Sequence, residues 1–114
     1  MKNKLIGAAA LGLLLATSAT GQTRGVTANS IIIGSHTDLS GPLASWGVPA
    51  TNGARMRIDA VNAAGGIHGR QIDFRVEDTQ YQVPLTVRAT NRLVQRDNIF
   101  AMILGAGTAQ SMAS

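Results

Sequence analysis

The only tryptophan of the chain, Trp46, lies in a short stretch with Gly and Pro, DLSGPLASWG (residues 38–47). This stretch follows SIIIGSHT (residues 30–37), whose β-branched residues predict a strand. A second loop, GAGTAQS (residues 105–111), follows the apolar run IFAMIL, which predicts a strand over residues 99–104. Ligands of open α/β sheets bind beyond the carboxyl ends of the strands, where both loops are expected. Trp46 is therefore either a plug at the end of the sheet or a binding surface.

The loop GAGTAQS contains residue types suited to holding a carboxylate. Gly105 and Gly107 allow a ligand to approach the backbone closely, and Thr108 and Ser111 supply hydroxyl donors. Backbone N–H groups joined by a hydroxyl bind an anion well. A purely structural role for Thr108, as the cap of the next helix, is compatible with this interpretation.

Two enzymatic interpretations are weaker. The letters GAGTAQ resemble the dinucleotide fingerprint G-x-G-x-x-G, but Gln110 replaces the third glycine. This partial match leaves a nucleotide-binding, Rossmann-like enzyme as the alternative function. His36, Asp38 and Ser40 are the residue types of a catalytic triad, but they lie on one short segment, whereas triads join separate elements. No other set of residues suggests catalysis, and no His, Asp and Glu cluster has metal-ligand spacing.

The elements that must position these loops alternate along the chain. Apolar residues recur at helical spacing over residues 48–64, and Gly65-Gly66 ends that helix. The alternating run QIDFRVED (residues 71–78) predicts an edge strand with one polar face. A second helix is expected from Pro84 to about Asp97, with Thr86, Ala89, Thr90 and Leu93 on its core side. The order β-α-β-α-β predicts an α/β fold with a doubly wound parallel sheet.

The first 21 residues predict a secretory signal peptide. Lys2 and Lys4 precede an apolar run from Leu5 to Ala16, and small residues follow, with cleavage after Ala19 or Gly21, of which Gly21 is favoured. The apolar run is shorter than the ~20 residues that a membrane span needs. Residues 22–114 then form the exported part, and we expect it in the periplasm.

The composition of the exported part excludes several classes of function. There is no Cys for a disulfide or a lipid anchor. Eight Arg against six acidic residues give only a small positive charge, and aromatic residues are few, so nucleic acid is not an expected partner. Arg88, Arg92 and Arg96 share one helix face; a solvated stripe is the favoured interpretation and contact with a membrane partner the alternative.

Four motifs occur in a characteristic order: LSGPLASWG, then VNAAGGIHGR, then VED at the end of a strand, then NRLV. This series resembles the start of the branched-chain amino-acid (Leu/Ile/Val) binding proteins, the periplasmic, type I solute-binding components of ABC transporters. The resemblance implies a two-lobed protein that closes on a small ligand and delivers it to a membrane permease. Residues 22–114 would be the N-terminal part of the first lobe, in a chain that appears truncated.

The resemblance also implies roles for individual residues. Trp46 would border the cleft, and the Gly107–Thr108 region would hold the carboxylate of an amino acid or a similar solute, with Ser111 as the rival hydroxyl. The second lobe would supply the remaining contacts. Such a protein binds rather than catalyses, and it needs no cofactor or metal.

Overall fold

The computed structural model describes residues 21–114. The predicted signal peptide therefore lies, apart from Gly21, outside the described residues. The elements are β1 (Ser30–Thr37), α1 (Ala44–Ala63), β2 (Gln71–Asp78), α2 (Val83–Asn91), β3 (Ala101–Met102) and α3 (Thr108–Ala113). Within these residues, no helix is long and apolar enough to span a membrane.

The three strands form one parallel sheet in the order β2-β1-β3. Strand β1 is central, with Ile33 opposite Phe74 of β2 and Ala101 of β3. Because β2 and β3 lie on opposite sides of β1, right-handed crossovers place α1 and α2 on opposite faces of the sheet. The predicted α/β class, the parallel sheet and the edge position of β2 are confirmed.

Helix α1 begins earlier than the sequence predicted. It spans Ala44–Ala63 rather than residues 48–64, so Trp46 and Gly47 belong to its first turn and not to the preceding loop. Pro49 is the sixth residue of the helix, where it lacks the N–H that would donate to the carbonyl of Ser45, so α1 has one hydrogen bond fewer in its second turn. At the other end, Gly65 and Gly66 have φ angles of 103° and 76°, the left-handed backbone that the sequence predicted there.

The second helix changes its winding part-way. Helix α2 ends at Asn91, and residues Arg92–Arg96 continue as a wider π-helical turn, so the predicted helix to about Asp97 is interrupted. The predicted core side is correct: Thr86 and Leu93 are fully buried and Ala89 nearly so. Ile99 completes this small core against Gly34 of β1.

The third strand is much shorter than predicted. Only Ala101–Met102 pair as β3, although Phe100 and Ile103 also donate backbone hydrogen bonds to β1. Leu104 ends the strand with a φ of 55°, which is left-handed and incompatible with an extended strand to residue 104. The chain turns there into the loop that precedes α3.

Candidate ligand-binding site

A groove of about 250 Å³ opens at the carboxyl end of the sheet. Trp46 and Ala50 of α1 form one wall, and the loop after β3 forms the other. We call it the Trp46 groove; its lining residues are Thr37, Trp46, Gly47, Ala50, Leu104, Gly105 and Ala106. It lies between the two strand ends at which the sequence predicted ligand binding.

Trp46 is 76 % exposed, which contradicts the interpretation of this residue as a core plug. Its place is fixed by the backbone around it. Gly47, the next residue, packs so closely on the carbonyl oxygen of Asp38 that a Cβ atom would clash with it. The first turn of α1 is thereby held against the end of β1, and the indole projects beside the groove.

Asp38 organises the turn that leads into α1. Its buried carboxylate accepts hydrogen bonds from the backbone N–H groups of Ser40 (3.2 Å) and Leu43 (2.7 Å) and from Gly41. This is an Asx turn that continues to the N-cap residue Leu43. Asp38 is thus a structural residue, and its carboxylate is occupied.

Asp78, the last residue of β2, stabilises the same turn. It accepts hydrogen bonds from the Ser40 hydroxyl and from the backbone N–H groups of Leu39 (2.9 Å) and Gln80 (3.0 Å). Burial by itself raises the pKa of Asp78, but these hydrogen bonds outweigh it, so the pKa is lowered. His36, Asp38 and Ser40 therefore do not form a triad: Ser40 bonds to Asp78, and the carboxylate of Asp38 bonds to the backbone.

The loop after β3 is anchored to β1 and leaves donors unused. Ala106 donates its backbone N–H to the carbonyl of His36 at 3.3 Å. Among the described residues, the N–H groups of Gly107 and Thr108 donate to no protein acceptor. Gly107, with a φ of 97°, precedes α3, and Thr108 is the first residue of that helix. Thr108 is exposed and forms no cap, so the alternative role of this residue as the cap of α3 is wrong.

The predicted site residues do not all face the Trp46 groove. Gly105 and Ala106 line it together with Trp46, whereas Gly107, Thr108 and Ser111 lie outside its lining. The Ser111 hydroxyl is 3.5 Å from where a Cβ of Gly105 would lie, beside the ring of His36. The structure thus places Trp46 beside the start of the loop after β3. The predicted hydroxyl donors, Thr108 and Ser111, lie further along the chain and outside the groove.

Two residues at this loop were missed by the sequence analysis. Gln110, only 4 % exposed, donates from Nε2 to the carbonyl of Tyr81 at 2.8 Å. The ring of Tyr81 lies against Gly107, with Cε2 2.8 Å from where a Cβ would be. Gln110 appeared only as the residue that breaks the dinucleotide pattern, and nothing in the spacing links position 81 to position 107.

Two arginines of the predicted stripe form ion pairs. Arg92 pairs with Glu77 at 3.2 Å, and Arg96 lies 3.8 Å from Asp97. The two arginine side chains are 47 % and 71 % exposed, which agrees with the favoured interpretation of the stripe as a solvated face. In residues 21–114, no three His, Cys, Asp or Glu side chains are grouped so that they could hold a metal ion.

The family model described as periplasmic binding protein matches residues 30–114, which is most of the chain. The chain belongs to the periplasmic binding protein family. The matched residues include all three strands and all three α-helices. The match agrees with the resemblance found in the sequence motifs.

Individual members of the periplasmic binding protein family are identical to this chain at about a third of the aligned residues. The Leu/Ile/Val-binding protein BraC3 of Rhizobium johnstonii is 34 % identical over 64 residues, covering 56 % of this chain and 17 % of that protein. The branched-chain amino-acid transporter substrate-binding protein LivJ of Streptococcus pneumoniae, solved with isoleucine, is 32 % identical with a TM-score of 0.71. That match covers 75 % of this chain and 24 % of LivJ.

A fatty-acid ABC transporter substrate-binding protein from Thermomonospora curvata has the same fold. Its TM-score is 0.73 at 30 % identity, with 81 % of this chain and 23 % of that protein covered. The chain therefore spans roughly a fifth of the length of the periplasmic binding proteins that it matches.

Proposed function

We propose that this chain forms part of the first lobe of an ABC-transporter solute-binding component, which captures a small carboxylate-bearing solute in the periplasm and delivers it to a membrane permease. An amino acid of the branched-chain type, or a related one, is the ligand class. The observation that carries the proposal is the Trp46 groove, which lies beside a loop with unused backbone donors.

The groove and the loop offer two different kinds of contact. The exposed indole of Trp46, with Ala50 and Leu104, gives an apolar surface for the side chain of a solute. The N–H groups of Gly107 and Thr108 and the Thr108 hydroxyl offer donors to a carboxylate. Ser111 is the second candidate for the hydroxyl contact. An apolar surface next to convergent donors is the pattern of a small-molecule site.

The ligands named for two similar proteins support a solute that carries a carboxylate. LivJ of S. pneumoniae was solved with isoleucine, and the T. curvata protein is named for fatty acids. An amino acid and a fatty acid differ in size and in the ammonium group, but both carry a carboxylate. The loop after β3 would meet this shared group, and the rest of the cleft would select the solute.

The activity, the export and the second lobe follow from the assignment of this chain to a solute-binding component. Binding, with no bond made or broken, is the activity, and neither a cofactor nor a metal takes part. Residues 1–21 direct export, with cleavage after Gly21, and the exported part begins at Gln22. The remaining contacts to the solute would come from a second lobe that closes over this one.

Trp46 provides the test, because it is the only tryptophan in the chain and lies in the groove. We expect L-isoleucine to change the fluorescence of the purified chain with weak, saturable affinity. L-Isoleucinol, which has the same side chain and ammonium but no carboxylate, is the matched control and should leave the signal unchanged. Equal responses to isoleucine and isoleucinol would exclude the carboxylate contact. Silence toward every amino acid and fatty acid of a two-lobed chimera, in which residues 30–114 replace the matching segment of S. pneumoniae LivJ, would exclude the function.

A further inference from the structure

The turn between β2 and α2 is held in a demanding backbone conformation. Gln80 and Tyr81 are consecutive non-glycine residues with left-handed φ angles of 50° and 59°. Such residues persist only where the surroundings enforce them, and they concentrate at functional sites. Asp78 enforces the first by accepting the N–H of Gln80, and Gln110 enforces the second by donating to the carbonyl of Tyr81.

This conformation brings Tyr81 to the loop after β3. Its ring lies against Gly107, where a Cβ atom would collide with both Tyr81 and the Oε1 atom of Gln110. That Oε1 atom is buried and has no hydrogen-bond partner among the described residues. Only glycine fits at position 107, so the loop and the turn are packed as one unit with Gln110 between them.

Tyr81 and Trp46 approach this loop from opposite faces of the sheet. Trp46 belongs to α1, whereas Tyr81 precedes α2, which covers the other face. Trp46 lies at Leu104–Ala106, and Tyr81 lies at Gly107. Tyr81 is 36 % exposed. Within residues 21–114 its side chain forms no hydrogen bond, and the bond from Gln110 goes to its backbone carbonyl.

We propose that Tyr81 is a ligand contact beside the carboxylate-binding loop, with its hydroxyl donating to the carboxylate next to the N–H groups of Gly107 and Thr108. The ring carbon nearest to Gly107, Cε2, is the neighbour of the carbon that bears this hydroxyl. Gln110 acts as a positioning residue, because it holds the Tyr81 backbone. This inference rests on the proposed function, since it adds a donor to the same site.

The test is an NMR titration with L-isoleucine of a two-lobed chimera, in which residues 30–114 replace the matching segment of S. pneumoniae LivJ and which supplies the second lobe. The titration follows the amide signals of residues 105–108 and the indole signal of Trp46, in the wild type and in Y81F. Loss of one hydrogen bond to a charged group weakens binding about 10-fold. We expect Y81F to lose about this much affinity without a change in melting temperature, because the ring that packs on Gly107 remains.

Two further variants make the result specific. Q110M removes the donor to Tyr81, so affinity should fall, and adding Y81F to it should cost less than Y81F alone. M56A removes an exposed side chain of α1 away from the loop and should bind as the wild type does. If the wild type binds and Y81F binds equally well, the role of Tyr81 is wrong while the proposed function stands. If the wild type gives no shift in the loop with any amino acid, the proposed function itself fails.

Discussion

The carboxylate of Asp38 accepts a 2.7 Å hydrogen bond from the backbone N–H of Leu43, the residue that caps α1. This contact joins the end of the central strand to the start of the helix that carries Trp46. The orientation of the indole therefore depends on a buried acidic side chain eight residues earlier in the sequence. This turn therefore positions the indole of Trp46 at the groove.

Replacing Asp38 should destabilise the protein strongly. D38A leaves three backbone N–H groups without their acceptor, and we expect the free energy of unfolding to fall by about 2–3 kcal/mol. Urea unfolding followed by circular dichroism measures this change. D59A is the matched control, since Asp59 is exposed on α1 and its loss should cost less than about 0.5 kcal/mol. Equal stability of the two variants would contradict the role of Asp38.

Two glycine-to-alanine variants should have opposite effects. G107A must accommodate a left-handed φ and a clash with Gln110 and Tyr81, so we expect a loss of about 2–3 kcal/mol. G53A lies inside α1 with open space around it and should gain about 0.5–1 kcal/mol. Thermal unfolding of both variants measures the difference. A G107A variant as stable as the wild type would show that Tyr81 and Gln110 do not enclose position 107.

Stability should decrease in mildly acidic solution because of His36. Burial lowers the pKa of His36 below its ordinary value of 6.5. Between that lowered pKa and 6.5 the unfolded chain binds a proton that the folded chain does not, so the folded state loses stability as pH falls through this window. The slope is at most about 1.4 kcal/mol per pH unit for one group.

The contribution of His36 can be separated from those of other groups. H36N should flatten the stability profile below pH 6.5, whereas H68N, in the exposed turn after α1, serves as the control. Asp78, whose pKa is lowered, loses its stabilising effect only as pH falls below its ordinary value of 3.8. A profile that keeps its slope in H36N would show that His36 is not the titrating group.

The outer edge of β3 should promote self-association of the purified chain. Within residues 21–114, β3 pairs with β1 alone, and the neighbouring Phe100 is 53 % exposed. Unpaired strand edges with apolar side chains are common sites of aggregation. F100K should therefore shift the chain toward monomer in sedimentation velocity, whereas M56K, at an exposed position on α1, should not. If both variants associate like the wild type, another surface is responsible.

The sequence predicted the elements better than the contacts between them. Hydrophobic periodicity and turn glycines indicated the parallel β-α-β-α-β order, because those signals are local. The early start of α1 was missed because its capping acceptor is Asp38, five residues before Leu43, and not the cap residue itself. The shortness of β3 depends on the left-handed Leu104, which no residue type announces.

The candidate site, too, could be predicted from the sequence only in part. Trp46 and the glycine loop could be predicted, since loops after parallel strands gather at one sheet edge. The contact of Tyr81 with Gly107 could not, because it depends on two left-handed residues and on a buried amide 29 positions away. Sequence spacing carries no information about such a tertiary contact.

Trp46 should matter for binding and little for folding. A two-lobed chimera, in which residues 30–114 replace the matching segment of S. pneumoniae LivJ, supplies the second lobe. Because Trp46 is 76 % exposed, W46A should change stability by less than about 0.5 kcal/mol. We expect calorimetry to show affinity for L-isoleucine reduced about 10-fold or more, since an aromatic contact is lost. Unchanged affinity would remove Trp46 from the site.

The central claim, that this chain supplies one side of a two-sided cleft, is tested most directly by a thermal-shift comparison. The purified chain and the chimera are each heated with L-isoleucine and with a panel of amino acids and small carboxylates. A ligand that binds only the folded state raises the melting temperature, and at a given concentration a tighter ligand raises it more. We expect a clear shift for the chimera and little or none for the chain alone. A chain stabilised as strongly as the chimera, or a folded chimera that responds to no carboxylate, would contradict it.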